Sequence, residues 1–150
     1  MFFWDKHKTI TCYYESLTKK VCEKFGLTQM EYDILMFLYS NPKYNTAADI
    51  VKVRKSTKSH VSTSLKMLED KRLIKRSSSA ENKKHIEIIL LDNAQEMIQD
   101  GLDVQKRFTE DLFKGTTEEE MAVCRSVFAK ICGNAEECLI DLRQNRTNTA

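Results

Sequence analysis

Apolar residues recur at helical spacing along most of the chain. Between residues 6 and 25 they stand three or four positions apart with Lys and Glu between them, which predicts an amphipathic helix ending at Gly26. Thr28 and Glu31 have the spacing of a capping box and open a second helix. Asn41-Pro42 ends that helix, because the residue before a proline disfavours helical backbone.

Two shorter helices follow, and the second is polar over most of its surface. Thr46 predicts the cap of a helix from Ala47 to about Val53, and Ser56 or Thr57 predicts the cap of the next one. That next helix has a single narrow apolar stripe, made by Val61, Leu65 and Leu68. Two short helices joined by a tight turn are typical of a helix-turn-helix.

The period of the pattern then changes from helix to strand. Residues 73–78 are compatible with a short strand, residues 79–84 are polar and turn-like, and residues 85–91 predict the clearest strand of the chain. Its alternating apolar positions are Ile86, Ile88 and Leu90. Two strands around a basic loop, directly after a helix-turn-helix, predict a β-wing.

Two long helices complete the pattern. Asp92 or Asn93 is the expected cap of the first, which ends at Gly115. Thr117 and Glu120 have capping-box spacing and open the second, which continues to about residue 142. Residues 143–150 are expected to form a frayed polar tail.

The predicted fold is therefore mainly α with a small β-wing, in a single chain of residues 1–150. A winged helix-turn-helix occupies residues 28–92, and helices at 6–25 and 93–142 flank it. These flanking helices are too long for the winged unit alone to bury their apolar faces. A second copy of the chain is the simplest partner, so we expect them to be dimerisation helices in a homodimer.

Composition excludes several other classes of protein. With 150 residues, of which 41% are apolar, the chain has the size and core-forming capacity of one globular domain. Four Gly and one Pro are too few for a sandwich or barrel built from many tight turns. No apolar run approaches the roughly 20 residues of a membrane span, and Asp5 ends the apolar start at residues 2–4 before any secretory segment forms. The five cysteines lack disulfide-framework spacing, so we expect reduced thiols and a cytoplasmic protein.

The positive charge of the chain is concentrated in one segment. From Lys52 to Lys84 there are eleven Lys and Arg residues and three acidic ones, a local charge of +8, while the rest of the chain carries −6. A solvated basic face is one explanation. A surface that binds a polyanion explains the segregation better, because the basic third lies between two acidic flanks.

The predicted winged helix assigns the basic and hydroxyl-bearing residues to two kinds of DNA contact. The second helix of the motif enters the major groove, while the wing reaches the adjacent minor groove or the backbone. The candidates on that helix, opposite its apolar stripe, are Lys58, Ser59, His60, Ser62, Thr63 and Lys66. The candidates for phosphate contacts are Arg54, Lys55, Arg76, Lys83 and Lys84.

Several of these residues carry a resemblance to a known family. Val61-Ser62-x-x-Leu65-Lys66-x-Leu68-Glu69-x-Lys71-x-Leu73-Ile74 resembles the recognition helix and wing entry of the MarR family of bacterial winged-helix transcription regulators. Leu90-Leu91-Asp92 resembles the family's exit from the wing, and the resemblance covers residues 6–142. Two positions depart from the family pattern. Arg72 stands where the family usually has Gly, so Arg72 must adopt left-handed backbone or the turn must differ. In the wing, Asn82-Lys83-Lys84 stands where the family commonly has an Asp-x-Arg pattern.

The resemblance implies a double-stranded DNA-binding transcriptional regulator, expected to be a repressor that a small ligand relieves. It also implies a homodimer on a pseudo-palindromic site with half-sites one helical turn apart. The positions expected at the dimer interface, or in the core, are Tyr14, Leu17, Val127, Phe128, Ile131 and Leu139. Family members often bind a small aromatic effector, and the aromatic residues in the corresponding elements are Tyr13, Tyr32, Phe37 and Tyr39. At helical spacing such residues are more often core.

Other functions remain open on the sequence. A cysteine thiol is the basis of redox sensing in some relatives, but Cys12 lies later in the first helix than the position they use. A winged helix that binds RNA or docks a protein is a further alternative. We expect no enzyme, cofactor or metal site, because the chain has no Gly-rich phosphate loop or Gly-x-Ser-x-Gly elbow, and Cys124, Cys132 and Cys138 lack zinc-motif spacing.

Overall fold

The computed structural model describes residues 2–78 and 86–147. Its elements, in chain order, are α1 (Phe2–Phe25), α2 (Gln29–Ser40), α3 (Ala47–Arg54), α4 (Lys58–Asp70), β1 (Ile74–Ser78), β2 (Ile86–Leu90), α5 (Gln95–Leu112) and α6 (Glu118–Thr147). The chain forms two compact units, Met1–Phe108 and Thr109–Ala150. The predicted fold class is confirmed, since a two-stranded wing follows a helix-turn-helix that long helices flank.

Threonine side chains begin four of the described helices as the sequence predicts, and one of these is Thr117, which forms a capping box with Glu120 at the start of α6. The Thr28 hydroxyl accepts from the Glu31 amide at 3.2 Å, and the Thr28 amide donates to Glu31 Oε2 at 3.0 Å, which completes a capping box. Thr46 forms the same box with Asp49. Of the two candidate caps for α4, Thr57 is the one used, and its hydroxyl accepts from the His60 amide.

The core lies between α2, α4 and the segments that pack around them. Five successive α2 residues, Ile34–Leu38, are buried, so this helix is covered on all sides. The stripe of α4 meets the same core, and Val61, Leu65 and Leu68 are at most 1% exposed. Ile50 from α3 and Met97 and Ile98 from α5 complete it.

The wing is joined to the helices by one further backbone contact. β1 and β2 are antiparallel, with Ile74 opposite Leu90 and Ser78 opposite Ile86. The Ile88 amide donates to the Asn45 carbonyl at 2.7 Å, so β2 also pairs with the loop that precedes α3. This contact fixes the base of the wing against the start of the helix-turn-helix.

Two left-handed residues set the turns on either side of α4. Arg72 has a φ of 56°, which confirms left-handed backbone where the family usually has Gly. Lys55, the residue after α3, has a φ of 54°, and the sequence did not indicate it. In both cases the backbone of a non-Gly residue is strained, and its left-handed conformation lets the chain turn tightly between packed elements.

Four expectations about the elements were wrong. α1 begins at Phe2 rather than residue 6. α6 continues to Thr147 rather than fraying from residue 143, because residues such as Arg143 and Gln144 favour helix although they are polar. Neither Asp92 nor Asn93 caps α5, since a 3-10 turn over Asp92–Ala94 leads into it. Ile86 is 47% exposed although its alternate neighbour Ile88 is buried, and both line a cavity beside β2.

Gly101 marks a close approach of α5 to α2. A Cβ atom at this position would lie 2.5 Å from the Met36 sulfur and 3.2 Å from the Tyr32 hydroxyl. The Tyr32 hydroxyl donates to the Gly101 carbonyl at 3.5 Å. The absence of a side chain at residue 101 therefore allows α5 to cover the centre of α2.

One buried carboxylate connects the ends of three helices. Glu31 is 2% exposed, and its Oε2 accepts from Lys71 Nζ at 2.7 Å as well as from the Thr28 amide. Lys71 Nζ also donates to the Gly26 carbonyl at 2.7 Å. The end of α1, the start of α2 and the end of α4 thus share one charged hydrogen-bond network, which we call the Glu31 clamp.

We expect Glu31→Gln to lower the free energy of unfolding by about 1.5–3 kcal/mol, the range for a hydrogen bond to a charged group. The neutral amide keeps one acceptor but leaves the Lys71 charge without its counterion. Urea denaturation measures the change, and Lys71→Met completes a double-mutant cycle. Glu23→Gln is the matched control, because the Glu23 side chain is exposed and pairs with the exposed Lys19. Equal midpoints for Glu31→Gln and the control would contradict the clamp.

Candidate nucleic-acid interface

The outward face of α4 collects the residues predicted to read DNA. Because the apolar stripe is buried in the core, the opposite side of the helix must face solvent. All six predicted residues are exposed: Lys58, Ser59, His60, Ser62, Thr63 and Lys66. Among the residues that the structure describes, neither Lys58 nor Lys66 has a carboxylate partner. The face therefore offers uncompensated positive charge together with hydroxyl and imidazole groups.

Arg76 on β1 is hydrogen-bonded to Glu69 on α4. Its Nε donates to Glu69 Oε2 at 2.9 Å, and its backbone amide donates to Glu69 Oε1 at 3.3 Å. These hydrogen bonds lower the pKa of the Glu69 carboxyl and raise that of the Arg76 guanidinium. Both side chains are about one third exposed, so Arg76 lies at the surface but shares its charge with Glu69.

Arg54 is directed toward α2. One of its Nη atoms donates to Asp33 Oδ2 at 2.8 Å, and its Nε is buried with no hydrogen-bond partner in the described part of the chain. Burial raises the pKa of Asp33, while hydrogen bonds from Gln29 and Arg54 act in the opposite direction. Arg54 thus stands apart from the exposed cations on α4. Lys55, the next residue, is exposed at the turn between α3 and α4.

A chain of polar side chains links the flanking helix α1 to the helix-turn-helix. The Thr18 hydroxyl, fully buried, donates to Gln29 Oε1 at 2.7 Å, and Gln29 Nε2 donates to Asp33 Oδ1 at 2.9 Å. Asp33 then pairs with Arg54. These hydrogen bonds run from α1 through α2 to α3, the helix that precedes α4.

The aromatic residues predicted to line an effector pocket are not brought together. Tyr32 and Phe37 are in the core, while Tyr39 is 44% exposed at the end of α2. Tyr13 stacks on Phe108 with ring centres 5.9 Å apart. Burial raises the pKa of Tyr32. Two cavities in the described part of the chain are lined by other residues.

The residues predicted at a dimer interface divide into two groups. Tyr14 and Leu17 on α1 are half-buried, and Tyr14 meets Phe108 edge-on at 5.3 Å between ring centres. The α6 residues are exposed, from 37% at Ile131 to 60% at Phe128, with Val127 and Leu139 between these values. In the single chain these four α6 side chains are therefore not core.

The sequence analysis assigned no role to Glu69, Asp33 or Lys52, and two of its predicted contact residues lie outside the described residues. Lys83 and Lys84 belong to the latter group, so their predicted phosphate contacts stay predictions. Glu69 and Asp33 are the carboxylate partners of Arg76 and Arg54, and Lys52 lines a cavity beside the wing. No periodic signal marks an ion pair between residues 33 and 54, because the fold alone brings them together.

The cysteines differ in accessibility. Cys22 is buried, and Cys12, Cys124, Cys132 and Cys138 are exposed. Burial, and after it the charge of Asp33, raises the pKa of the Cys22 thiol. Within residues 2–78 and 86–147, no group of three His, Cys, Asp or Glu side chains is placed to hold a metal ion. No helix described there is long and apolar enough to cross a membrane.

Comparisons with known proteins place this geometry among winged helices. A sequence model described as MarR family matches residues 25–85. A Listeria monocytogenes protein described as a MarR family transcriptional regulator, complexed with a 26mer DNA, is 16% identical, with a TM-score of 0.82, covering 94% of this chain and 93% of that one. A MarR protein from Peptoclostridium difficile is 16% identical, with a TM-score of 0.79, and the match covers 91% of this chain and 89% of that one. MepR of S. aureus in a DNA complex is 22% identical, with a TM-score of 0.58, and the match covers 85% of this chain and 96% of that one. No curated protein matches the chain.

We expect the exposed thiols of Cys12 and Cys132 to react rapidly with a disulfide reagent in the native protein and the thiol of Cys22 to react slowly. Cys22 should react at least about tenfold more slowly, because burial restricts access and disfavours its thiolate. Absorbance of the released thiol measures both phases. Cys22→Ser should remove the slow phase and leave the fast one unchanged. Five equally fast thiols in the native protein would contradict this placement.

Proposed function

We propose that this chain, a winged-helix protein of the MarR family over residues 25–85, is a transcriptional regulator that binds double-stranded DNA in a sequence-specific manner. The observation that carries the proposal is the outward face of α4. Its six candidate contact residues are all exposed, while the apolar stripe behind them is in the core. Because it is a soluble regulator of chromosomal DNA in this proposal, we place it in the cytoplasm.

The contacts divide by chemistry. Ser62, Thr63 and His60 offer donors and acceptors that can distinguish base edges in the major groove. Lys58 and Lys66 contribute charge toward guanine or phosphate, and Lys55 toward phosphate. The Glu69 carboxylate accepts a hydrogen bond from Arg76 Nε. Arg76 therefore contacts a phosphate either after this bond breaks or through guanidinium N–H groups that Glu69 does not use. Arg54 acts through Asp33 on the position of α3 rather than at the DNA surface.

We further propose that the protein acts as a homodimer through α6, with α1 and α5 contributing. Apolar and small residues recur on α6 with strict three-and-four spacing, as in a coiled-coil seam: Met121, Cys124, Phe128, Ile131, Ala135, Cys138 and Leu142. Exposed side chains as large as Phe128 favour burial against a partner. A two-fold dimer presents two copies of α4, so the preferred site is a pseudo-palindrome with half-sites roughly 34 Å apart.

The mode of regulation is proposed from the resemblance. The protein is a repressor that a small aromatic ligand releases from DNA by changing the spacing of the two recognition helices. The polar chain from Thr18 to Arg54 supports coupling of this kind, since it links α1 to α3. The aromatic residues Tyr13, Tyr32, Phe37 and Tyr39 remain the proposed contacts for such a ligand after a rearrangement that opens space among them.

The experiment that tests the proposed function is selection of bound fragments from random duplex DNA at about 150 mM salt, where purely phosphate-driven binding is already weakened. An enriched inverted repeat with half-sites one turn apart is the expected result. Binding without an enriched motif would overturn sequence-specific regulation. Preferential binding of RNA, or no binding of nucleic acid, would favour the other uses of a winged helix.

We expect Ser62→Ala and Thr63→Ala to change the preferred sequence and to weaken binding of the selected site by about 1–3 kcal/mol where a base contact is lost. The salt dependence should remain as in the natural protein, since no phosphate contact is removed. Selection repeated with each variant measures the preference. Ser40→Ala, an exposed hydroxyl at the end of α2, is the control. An unchanged motif in both variants would place the reading face elsewhere.

We expect Phe128→Asp and Ile131→Asp each to raise the dimer dissociation constant by more than about tenfold, because a charge on the seam is buried without a partner. Sedimentation equilibrium over a dilution series measures it. Val123→Asp is the matched control, since Val123 is 62% exposed and lies off the seam. A dimer dissociation constant that is unchanged in all three variants, or raised in all three, would contradict the proposed seam.

A further inference from the structure

Glu69 and Arg76 join the last turn of α4 to the first strand of the wing. Arg76 Nε donates to Glu69 Oε2 at 2.9 Å, and one of the Arg76 Nη atoms donates to the same oxygen. The Arg76 backbone amide donates to Glu69 Oε1 at 3.3 Å. Both carboxylate oxygens therefore bind one residue, and they use two of the five N–H groups of its guanidinium. Arg76 is held at its side chain and at its backbone.

The pair lies at the surface, next to the outward face of α4. The Glu69 side chain is 36% exposed and the Arg76 side chain 37%. Arg76 lines the same cavity as Lys58 and Ser62, which are two of the candidate DNA contacts on α4. Arg76 is thus placed among groups that can meet a duplex, but its charge is compensated by the carboxylate.

An arginine that is paired in this way contributes little to binding that is independent of sequence. Such binding comes mainly from cations that displace condensed counterions at phosphates, and each contact adds about 0.9 to the slope of log affinity against log salt. Because Glu69 already neutralises Arg76, this arginine displaces no counterion while the pair is intact. The fixed guanidinium meets a phosphate through its unused N–H groups only where α4 has a defined register on the duplex.

We propose that Glu69 is a specificity-determining residue that acts through Arg76. It withholds the arginine from the phosphates of unrelated sequences. It leaves the unused N–H groups of the guanidinium in a fixed place for the phosphate that the selected site brings within reach. Glu69 itself contacts no DNA, so it is a positioning residue. The proposal rests on the proposed function, because it concerns the same surface of α4 and the wing.

Removal of the carboxylate should tighten binding to unrelated DNA more than to the selected site. Glu69→Gln frees the Arg76 charge, so a random-sequence duplex should bind about fivefold more tightly at about 150 mM salt, with a slope steeper by about one unit. The selected duplex should gain less than about twofold, because its phosphate already meets Arg76. Fluorescence anisotropy over a salt series measures both duplexes. Equal gains for the two duplexes, or weaker binding of the random one, would overturn the proposal.

Asp70→Asn is the matched control. Asp70 is exposed, follows Glu69 on α4, and has no hydrogen bond to Arg76 in the described part of the chain. The substitution removes the same charge from the same helix end without releasing the arginine. We expect less than about a twofold change with either duplex and an unchanged slope. A gain equal to that of Glu69→Gln would be a general effect of charge and would overturn the proposal.

Arg76→Met tests whether the effect of Glu69 passes through the arginine. In this background, Glu69→Gln should change the affinities no more than Asp70→Asn does, because no guanidinium remains to be released. A full fivefold gain without the arginine would overturn the proposal. Exposed ion pairs contribute little to stability, so each variant is expected to fold, and its urea midpoint is measured alongside.

Heparin distinguishes failure of this proposal from failure of the proposed function. It is a polyanion without bases, so it reports the release of Arg76 whether or not the chain recognises a duplex. Glu69→Gln should bind heparin at least about threefold more tightly than the natural protein, and Asp70→Asn should not. A heparin affinity that Glu69→Gln leaves unchanged would overturn the hold of Glu69 on Arg76. Heparin binding without binding of any duplex would overturn the proposed function, and with it the role in specificity.

Discussion

The Glu31 clamp is the interaction on which the geometry of the winged unit depends. The buried Glu31 carboxylate accepts from the Thr28 amide at the start of α2 and from Lys71 Nζ at the end of α4, and Lys71 Nζ also donates to the Gly26 carbonyl just after α1. Burial of an unpaired carboxylate is costly, so the three helix ends must meet for the charge to be compensated. Lys71 is followed directly by the left-handed Arg72, and the clamp therefore also sets the point where the chain leaves α4 and enters the wing.

The division of α4 into two faces follows from this placement. The apolar stripe of α4 packs in the core with α2, so the residues on the opposite side of α4 face solvent. The exposed side of α4 is therefore basic and rich in hydroxyl groups. Its free charge is smaller than the local charge of +8 indicates, because Arg54 and Lys71 are paired with carboxylates outside that segment, Asp33 and Glu31. The charge that is available for a polyanion includes Lys58 and Lys66 on α4.

The ion pairs of the winged unit also have different physical roles. The Glu31–Lys71 pair is largely buried and contributes to stability, whereas the exposed Glu69–Arg76 pair mainly orients a side chain. The Asp33–Arg54 pair ends a polar chain that begins at Thr18 on α1. The three pairs therefore differ in burial and in the elements that they join.

The sequence by itself determined the elements and the exposed face of α4. Periodicity and capping boxes are local signals, so they predicted α2, α3, α4 and both strands closely, and the stripe of α4 predicted which of its residues are exposed. Local signals were weaker at the ends, where α1 begins earlier and α6 continues further than polarity indicated. The tertiary structure alone decided the partners: Glu31 with Lys71, Asp33 with Arg54, and Ile86 with a cavity instead of a core. These depend on residues distant in sequence whose meeting is set by packing, and no spacing along the chain encodes such a contact.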